Sequence, residues 1–553
     1  MDDNYISLLW PDNEQVYASK TINLNDSTIE SLDIAGFCKR LSDRFDEYDY
    51  IEYILTHLCH DEGVIKYRQN IFSDIVSSKT LLSSLETILE NLKGLKLIDN
   101  EASILQDVTF WTFFNQYKKL GSYTDIISTI NEAFKGLELK SEGLSKLKNI
   151  ISSMAENEEF KKISKSINEL SVDINEIKSL TLGINLDGDL NPIEATLVSV
   201  NKTQFKDNGF WKNYLDRQGM INIMDNMSKI HRLGNDPRHP LMHHLSKDIE
   251  SLLKPVMKNL SKTLKKLPCI NTNFLTSLIP EITFYLRAAE LYNYLTEHKM
   301  PVCMPQVLSL ADRKNEIKNT YNANLVIQLL KRGIDTSKEI VLNDVLFNDD
   351  GRIFILTGPN RGGKTVYTEA IAFAQILFQA GLFVPGTEGI MSPVDSIYTH
   401  FPVDENQTVT LGRLGEESKR LGEIFAEASS FSLILLNESL ASTSFTEGIY
   451  IANDVVKSLR YLGARALFNT HMHELAKETD IINNTITGNS KVVSLVTGIE
   501  NGKRSYKIYK GEPLGKSYAR DIAIKYGMSF EQITKSINIR KSNNTKLNLS
   551  ANH

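Results

Sequence analysis

The sequence predicts an α + α/β fold: a helical first region, then an α/β domain whose sheet is mostly parallel. Three observations predict it. Apolar residues recur at helical spacing through roughly the first 180 positions. Beyond Pro305, short continuous apolar runs alternate with amphipathic helices, the rhythm of a parallel sheet. One of those runs, in the stretch RIFILTGPNRGGKT from Arg352 to Thr365, opens directly onto a glycine-rich turn and a following helix.

In the helical region Leu85, Ile88, Leu89 and Leu92 stand at i, i+3, i+4 and i+7, one apolar stripe. Phe160, Ile163, Ile167, Leu170, Ile174 and Ile177 alternate steps of three and four, the seam of a long helix lying against another. Both read as core packing. The texture changes at Leu180. Leu182–Leu186 and Ala195–Val200 read as strands separated by a turn that Asp187-Gly188 opens, so a β-hairpin is expected near 182–200.

The segment 201–270 is basic. It holds 13 Lys and Arg against 6 Asp and Glu, a local +7 in a chain of net −6, which leaves −13 for the remainder. Phe205, Phe210 and Trp211 lie among its lysines. Such a segment suits a phosphate backbone; a solvated helix face over core aromatics has the same composition. Helical spacing returns from Ile249 to Leu295, and Met300–Pro305 reads as a linker. The expected division is therefore a helical region over 1–305, an α/β domain over 306–536 and a disordered polar tail over 537–553.

In the α/β domain, Val326–Leu330, Ile353–Leu356, Leu433–Leu436 and Ala466–Phe468 are expected strands. Thr365–Ala380 and Phe445–Leu462 are expected helices. Gly358-Pro359-Asn360-Arg361-Gly362-Gly363-Lys364-Thr365 fits G-x-x-x-x-G-K-[ST] at every fixed position, with the strand before and the helix after that the pattern requires. The glycines let backbone N–H groups curl around a phosphate, and the helix N-terminus adds its positive dipole end. Lys364 would reach the β- and γ-phosphates and Thr365 would hold Mg²⁺. LILLNE, Leu433 to Glu438, delivers two polar groups at a strand end, the side on which open α/β sheets bind ligands. Glu438 is the expected general base toward water. Asn437 stands where phosphate-loop ATPases carry a metal-binding aspartate; it keeps an oxygen but no charge, so weaker metal binding or slower turnover is expected. His471, after the next strand, is positioned to hydrogen-bond the γ-phosphate.

Cys38, Cys59, Cys269 and Cys303 are far apart and form no C-x-x-C pair, a usage that fits free thiols in a reducing, cytoplasmic setting. His57, Cys59 and His60, and His239, His243 and His244, cluster but lack a second ligand pair for zinc. No signal peptide and no apolar run of about 18 residues is visible, so no membrane span is expected.

TGPNRGGKT, LILLNE and NTHMHEL, in this order and spacing, resemble the ATPase domain of MutS-type DNA mismatch-repair proteins. Ile340–Asp344 resembles the stretch that places an Asn-Asp pair, here Asn343-Asp344, beside the nucleotide, and Gly511–Ala519 resembles the C-terminal segment of that domain. The resemblance spans about Asn319 to Ile533; over the helical half it extends only to architecture. It implies a helical core and lever region followed by an ABC-like P-loop ATPase domain. It also implies a homodimer with ATP-Mg²⁺ at the interface, and DNA of mismatched, branched or distorted structure as partner. Nucleotide binding falls on Asn343, Gly358, Pro359, Asn360, Arg361, Gly362, Gly363, Lys364 and Thr365, metal on Thr365 and Asn437, and catalysis on Glu438 and His471.

Departures from the pattern are visible. No glycine follows Asn437-Glu438, where the sequence reads Ser439-Leu440-Ala441-Ser442-Thr443-Ser444, and Gly412-Arg413 is followed by leucine, not serine. The N-terminal mismatch-reading domain and a C-terminal nuclease domain are not expected in this length. Phe-x-Glu occurs at Phe45-Asp46-Glu47 and again at Phe445-Thr446-Glu447, and both read as structural. The leading reading is a dimeric, DNA-dependent ATPase of repair or recombination. A nucleotide-gated scaffold with weak or no hydrolysis is the second reading, and an ABC-type ATPase acting on a protein or membrane partner the third.

Overall fold

The computed structural model describes residues 6–539 apart from positions 43, 360 and 525 and the stretches 105–109, 176–177, 190–191, 205–271, 403–411, 441–444, 501–502 and 514–523. Almost all of the basic segment, and with it the histidines at 239, 243 and 244, lies outside the described residues, as do 540–553 of the expected tail; residues 537–539 of that tail are helical, not disordered, and end a helix that begins at 530. The chain forms two compact units. One comprises 1–6 and 78–282, the other 7–77 and 283–553.

The first unit is helical. Lys79–Ile104 packs on Phe110–Phe134, which packs on Glu142–Glu156 and Glu158–Asn175. The stripe Leu85, Ile88, Leu89 and Leu92 is fully buried, and Phe160, Ile163 and Ile167 of the expected seam are buried; the side chains of Leu170, Ile174 and Ile177 lie outside the described residues. Apolar residues every three or four positions put one face of each helix into a shared core. The hairpin forms from Ser179–Leu186 and Pro192–Asn201, paired antiparallel, with Ile184, Leu186 and Val198 exposed.

The second unit is built on a six-stranded sheet. Its strands are β1 (Ile353–Thr357), β2 (Ile397–His400), β3 (Leu433–Asn437), β4 (Arg465–Asn469), β5 (Val492–Glu500) and β6 (Lys503–Lys510), in spatial order β2-β3-β4-β1-β5-β6. All pairings are parallel except β5 with β6. Strands β1, β3 and β4 are buried along their whole length, which is why each reads as an unbroken apolar run. Among the helices that pack on the sheet are α1 (Lys364–Gln379), α2 (Gly412–Glu427) and α3 (Phe445–Leu462). Ile353, Ile355, Ile434, Leu436, Ala466 and Phe468 share a core with α2 and α3. Alternate residues face the opposite side, where α1 packs on β3 and β4.

Buried polar groups hold α1 and β4 in place. The Gln379 side chain accepts from Val394 N and donates to Val394 O, both at 3.0 Å, and Gln375 donates to Gln379 at 2.9 Å. Arg465, fully buried at the start of β4, donates to the carbonyls of Ser392 and Pro393 at 3.0 and 2.6 Å. Burial lowers its guanidinium to about 9.

Structure and expectation differ at three further places. Val326–Leu330 is not a strand but part of the helix Ala323–Lys331. Asn322 caps it by accepting from Leu325 N at 3.1 Å, and Ala323, Val326 and Ile327 form a buried i, i+3, i+4 stripe that overrides their β preference. Met300–Pro305 is not a passive linker: Val302–Cys303 pairs antiparallel with Val384–Pro385. The compact units are also not divided at a single point near 305, since residues 7–77 pack with the sheet-bearing unit. There Glu47, within one Phe-x-Glu triplet, is fully buried and ion-paired to Arg287 at 3.0 Å, a structural role, while Phe45 is exposed. Cys38 and Cys59 are buried free thiols and Cys303 is half-buried. Among the described residues no cluster of His, Cys, Asp and Glu suits a metal ion, and no helix is long and apolar enough to cross a membrane.

Candidate nucleotide-binding site

The parallel strands β1, β3 and β4 all deliver candidate side chains at the same, C-terminal end of the sheet. β1 runs into the glycine turn. Gly358 has φ +154°, and a Cβ there would stand 1.9 Å from Thr497 Oγ1 on β5, so only glycine lets the two strands close up. Gly363, at φ +85°, starts α1 in the left-handed region. Asn360 lies outside the described residues.

Lys364 is buried, and its Nζ turns back onto its own loop. It donates to the carbonyls of Gly358 and Pro359 at 3.2 and 3.3 Å and lies 3.5 Å from His471 Nε2. Burial pushes its ammonium down to about 8, while the charge of Glu438 pulls the other way. Thr365 Oγ1 donates to Asn437 Oδ1 at 3.1 Å, and the Asn469 side-chain amide donates to the same oxygen. The expected pair of metal-binding oxygens is therefore brought together, one of them a neutral carbonyl already accepting two hydrogens.

β3 and β1 are not neighbours; β4 lies between them. Glu438, just past β3, and His471, just past β4, consequently meet: Glu438 Oε1 is 2.9 Å from His471 Nε2. That hydrogen bond, foremost, holds the carboxyl below its ordinary range, with the charges of His471 and Lys364 adding and burial opposing. Sequence reasoning gave these two residues separate tasks; the structure makes them a pair.

Asn343 is the first residue of the strand Asn343–Phe347, in a separate four-stranded sheet. Its amide donates to Tyr506 O at 3.1 Å and Val341 O at 3.3 Å, and its Oδ1 accepts from Ile508 N at 2.8 Å. It ties that sheet to β6. A cavity of about 380 Å³ opens beside the glycine turn, lined by residues 361–367 together with Ile340, Asn343, Glu438 and Tyr506. Tyr506 was missed in the sequence. It has φ +55°, and its ring stands 3.3 Å from where a Gly363 Cβ would be. His400 and Glu417 were missed as well: His400 Nδ1 is 2.7 Å from Ser439 Oγ, and Glu417 accepts from Leu440 N at 2.7 Å.

Residues 354–541 match the model of MutS domain V, and residues 60–298 that of the MutS2 N-terminal domain. The chain belongs to the MutS family. Among its relatives, the DNA mismatch repair protein MutS of Chlorobium limicola is 31% identical over 212 residues, 38% of this chain and 24% of the relative. Endonuclease MutS2 of Streptococcus uberis is 27% identical over 326 residues, 58% of this chain and 36% of the relative. DNA mismatch repair protein MutS 2 of Halobacterium salinarum is 35% identical over 146 residues, 26% of this chain and 17% of the relative. The matched part of this MutS-family chain thus spans between a quarter and about a third of the first two relatives' length. The domain V match covers the glycine turn, Asn437, Glu438 and His471 together.

Proposed function

We propose that the chain is a MutS-type ATPase that binds ATP with Mg²⁺ at the glycine turn and hydrolyses it with Glu438 as general base. In this reading it acts on DNA as a homodimer with an ABC-like arrangement of nucleotide at the interface. The single observation that carries the reading is the Glu438–His471 pair beside Lys364, at the same end of the sheet as Thr365 and Asn437. A carboxylate held ionised, a cation and two metal-capable oxygens are the parts phosphoryl transfer to water requires.

Each residue has a defined task. Lys364 turns from its own loop carbonyls to the β- and γ-phosphates. Glu438 orients a water molecule and takes its proton. His471, held by Glu438, stands where loss of the γ-phosphate is felt. The donor set also suits Mg²⁺, a hard cation taking oxygen ligands: Thr365 Oγ1 and Asn437 Oδ1 would hold it. Mg²⁺, when bound, neutralises charge on the phosphates. With Asn437 supplying no charge, weaker metal affinity and slow turnover follow. The cavity wall of Ile340 and Tyr506 offers an apolar face and a ring against which a base can lie.

DNA of mismatched, branched or distorted structure is the proposed partner, in repair or recombination, within the cytoplasm. Names of relatives and the excess of Lys and Arg in 201–270 support it. Filter binding to mismatched, branched and plain duplexes, with and without ATP at fixed salt, tests this part. ATP-sensitive affinity for one of the irregular forms is expected; none for any form would refute it.

A further inference from the structure

Glu438 and Leu440 have φ of +50° and +65°, a left-handed backbone that residues with side chains keep only when their surroundings impose it. On one side the turn is held by β4, since Glu438 N donates to Asn469 O at 2.8 Å. On the other it is held by α2. Leu440 N donates to the Glu417 carboxylate at 2.7 Å, a charge-assisted contact. Ser439, buried, lies 2.7 Å from His400 Nδ1, and His400 Nε2 lies 3.2 Å from the Glu417 carbonyl. A carbonyl only accepts, so Nε2 carries the hydrogen and Nδ1 takes the Ser439 hydroxyl. Both links lead to the same residue of α2. Arg420, one turn on, donates to Phe401 O at 3.2 Å and so fixes α2 to the end of β2. Neither His400 nor Glu417 lines the cavity.

We propose that Glu417 and His400 are positioning residues that hold the Glu438 turn in its catalytic conformation, making the placement of α2 the variable that sets the rate of hydrolysis. The proposal rests on the ATPase reading above and deepens it. A shift of α2 withdraws the Leu440 and Ser439 contacts together, and the turn then relaxes toward ordinary backbone angles with Glu438 displaced from its water. Lys364 keeps its place on the glycine turn through that movement, held by the carbonyls of Gly358 and Pro359, so ATP still binds.

The test uses full-length Glu417→Ala and Glu417→Gln. Their ATP affinity is read by fluorescence titration with a labelled ATP, turnover by phosphate release, and the Leu440 amide by hydrogen exchange. Glu417→Ala should keep its affinity, lose roughly tenfold or more in turnover, the worth of one charge-assisted hydrogen bond, and exchange Leu440 faster. Glu417→Gln retains an oxygen for Leu440 and should recover most of the turnover. A Glu417→Ala that turns over at the wild-type rate, or that loses affinity and turnover together, overturns the proposal. A wild type that releases no phosphate refutes the ATPase reading instead; exchange at Leu440 then still decides whether Glu417 holds the turn, and unchanged exchange in Glu417→Ala overturns it.

Discussion

Glu438 Oε1 lies 2.9 Å from His471 Nε2, and the same ring nitrogen lies 3.5 Å from Lys364 Nζ, so a base, an imidazole and a cation form one contact chain. Because the imidazole keeps the carboxyl ionised, Glu438→Ala should lower ATP turnover by roughly 10²- to 10⁴-fold while leaving ATP affinity near wild type. Single-turnover phosphate release with a parallel binding titration checks both. Equal rates in wild type and variant would favour a nucleotide-gated scaffold over an enzyme.

Asn437 Oδ1 accepts from Thr365 and Asn469, and neither donor needs a neutral acceptor. Asn437→Asp therefore keeps both hydrogen bonds and adds a charge where Mg²⁺ is expected. The Mg²⁺ concentration for half-maximal turnover should fall, and turnover at saturating ATP should rise. A Mg²⁺ titration of both proteins reads this directly.

His400 is buried, and burial together with the charge of Arg420 pushes its imidazole down to about 4. The unfolded chain takes this proton near the ordinary 6.5, whereas the folded chain resists until about 4. Between those values the unfolded state binds more protons, so stability is full above about pH 6.5 and falls as pH drops, by up to about 3 kcal/mol for this residue. His60 and His473, also lowered by burial, act in the same direction. Unfolding midpoints from pH 7.5 to 4.5 should decline, with a shallower slope in His400→Asn.

Gly358 faces Thr497 closely enough that Gly358→Ala must displace a strand or the loop. A loss of about 1–3 kcal/mol is expected, read from urea unfolding, together with weakened ATP binding. Thr497 Oγ1 is buried without a hydrogen-bond partner, so Thr497→Ala alone should cost little and should relieve part of the Gly358→Ala defect.

Three strands of the sheet, β1, β3 and β4, were legible in the sequence because they are buried on both faces and show as continuous apolar runs between helices; β2, β5 and β6 were not read. The helix Phe445–Leu462 was legible to the residue. The glycine turn announced itself through a fixed pattern. Val326–Leu330 misled because its β-branched residues say nothing of the Asn322 cap. A helical stripe in residues 7–77 says that a face is buried, not which unit buries it. Tyr506, His400 and Glu417 depend on partners 17 to 163 positions away, and no local pattern encodes such meetings.

Calorimetric titration of ATP with Mg²⁺ into the wild type and Lys364→Ala tests the central claim most directly. The wild type should give saturable heat with one site per chain, and Lys364→Ala should give none. Absence of heat from the wild type, or an unchanged isotherm in Lys364→Ala, would contradict nucleotide binding at this turn.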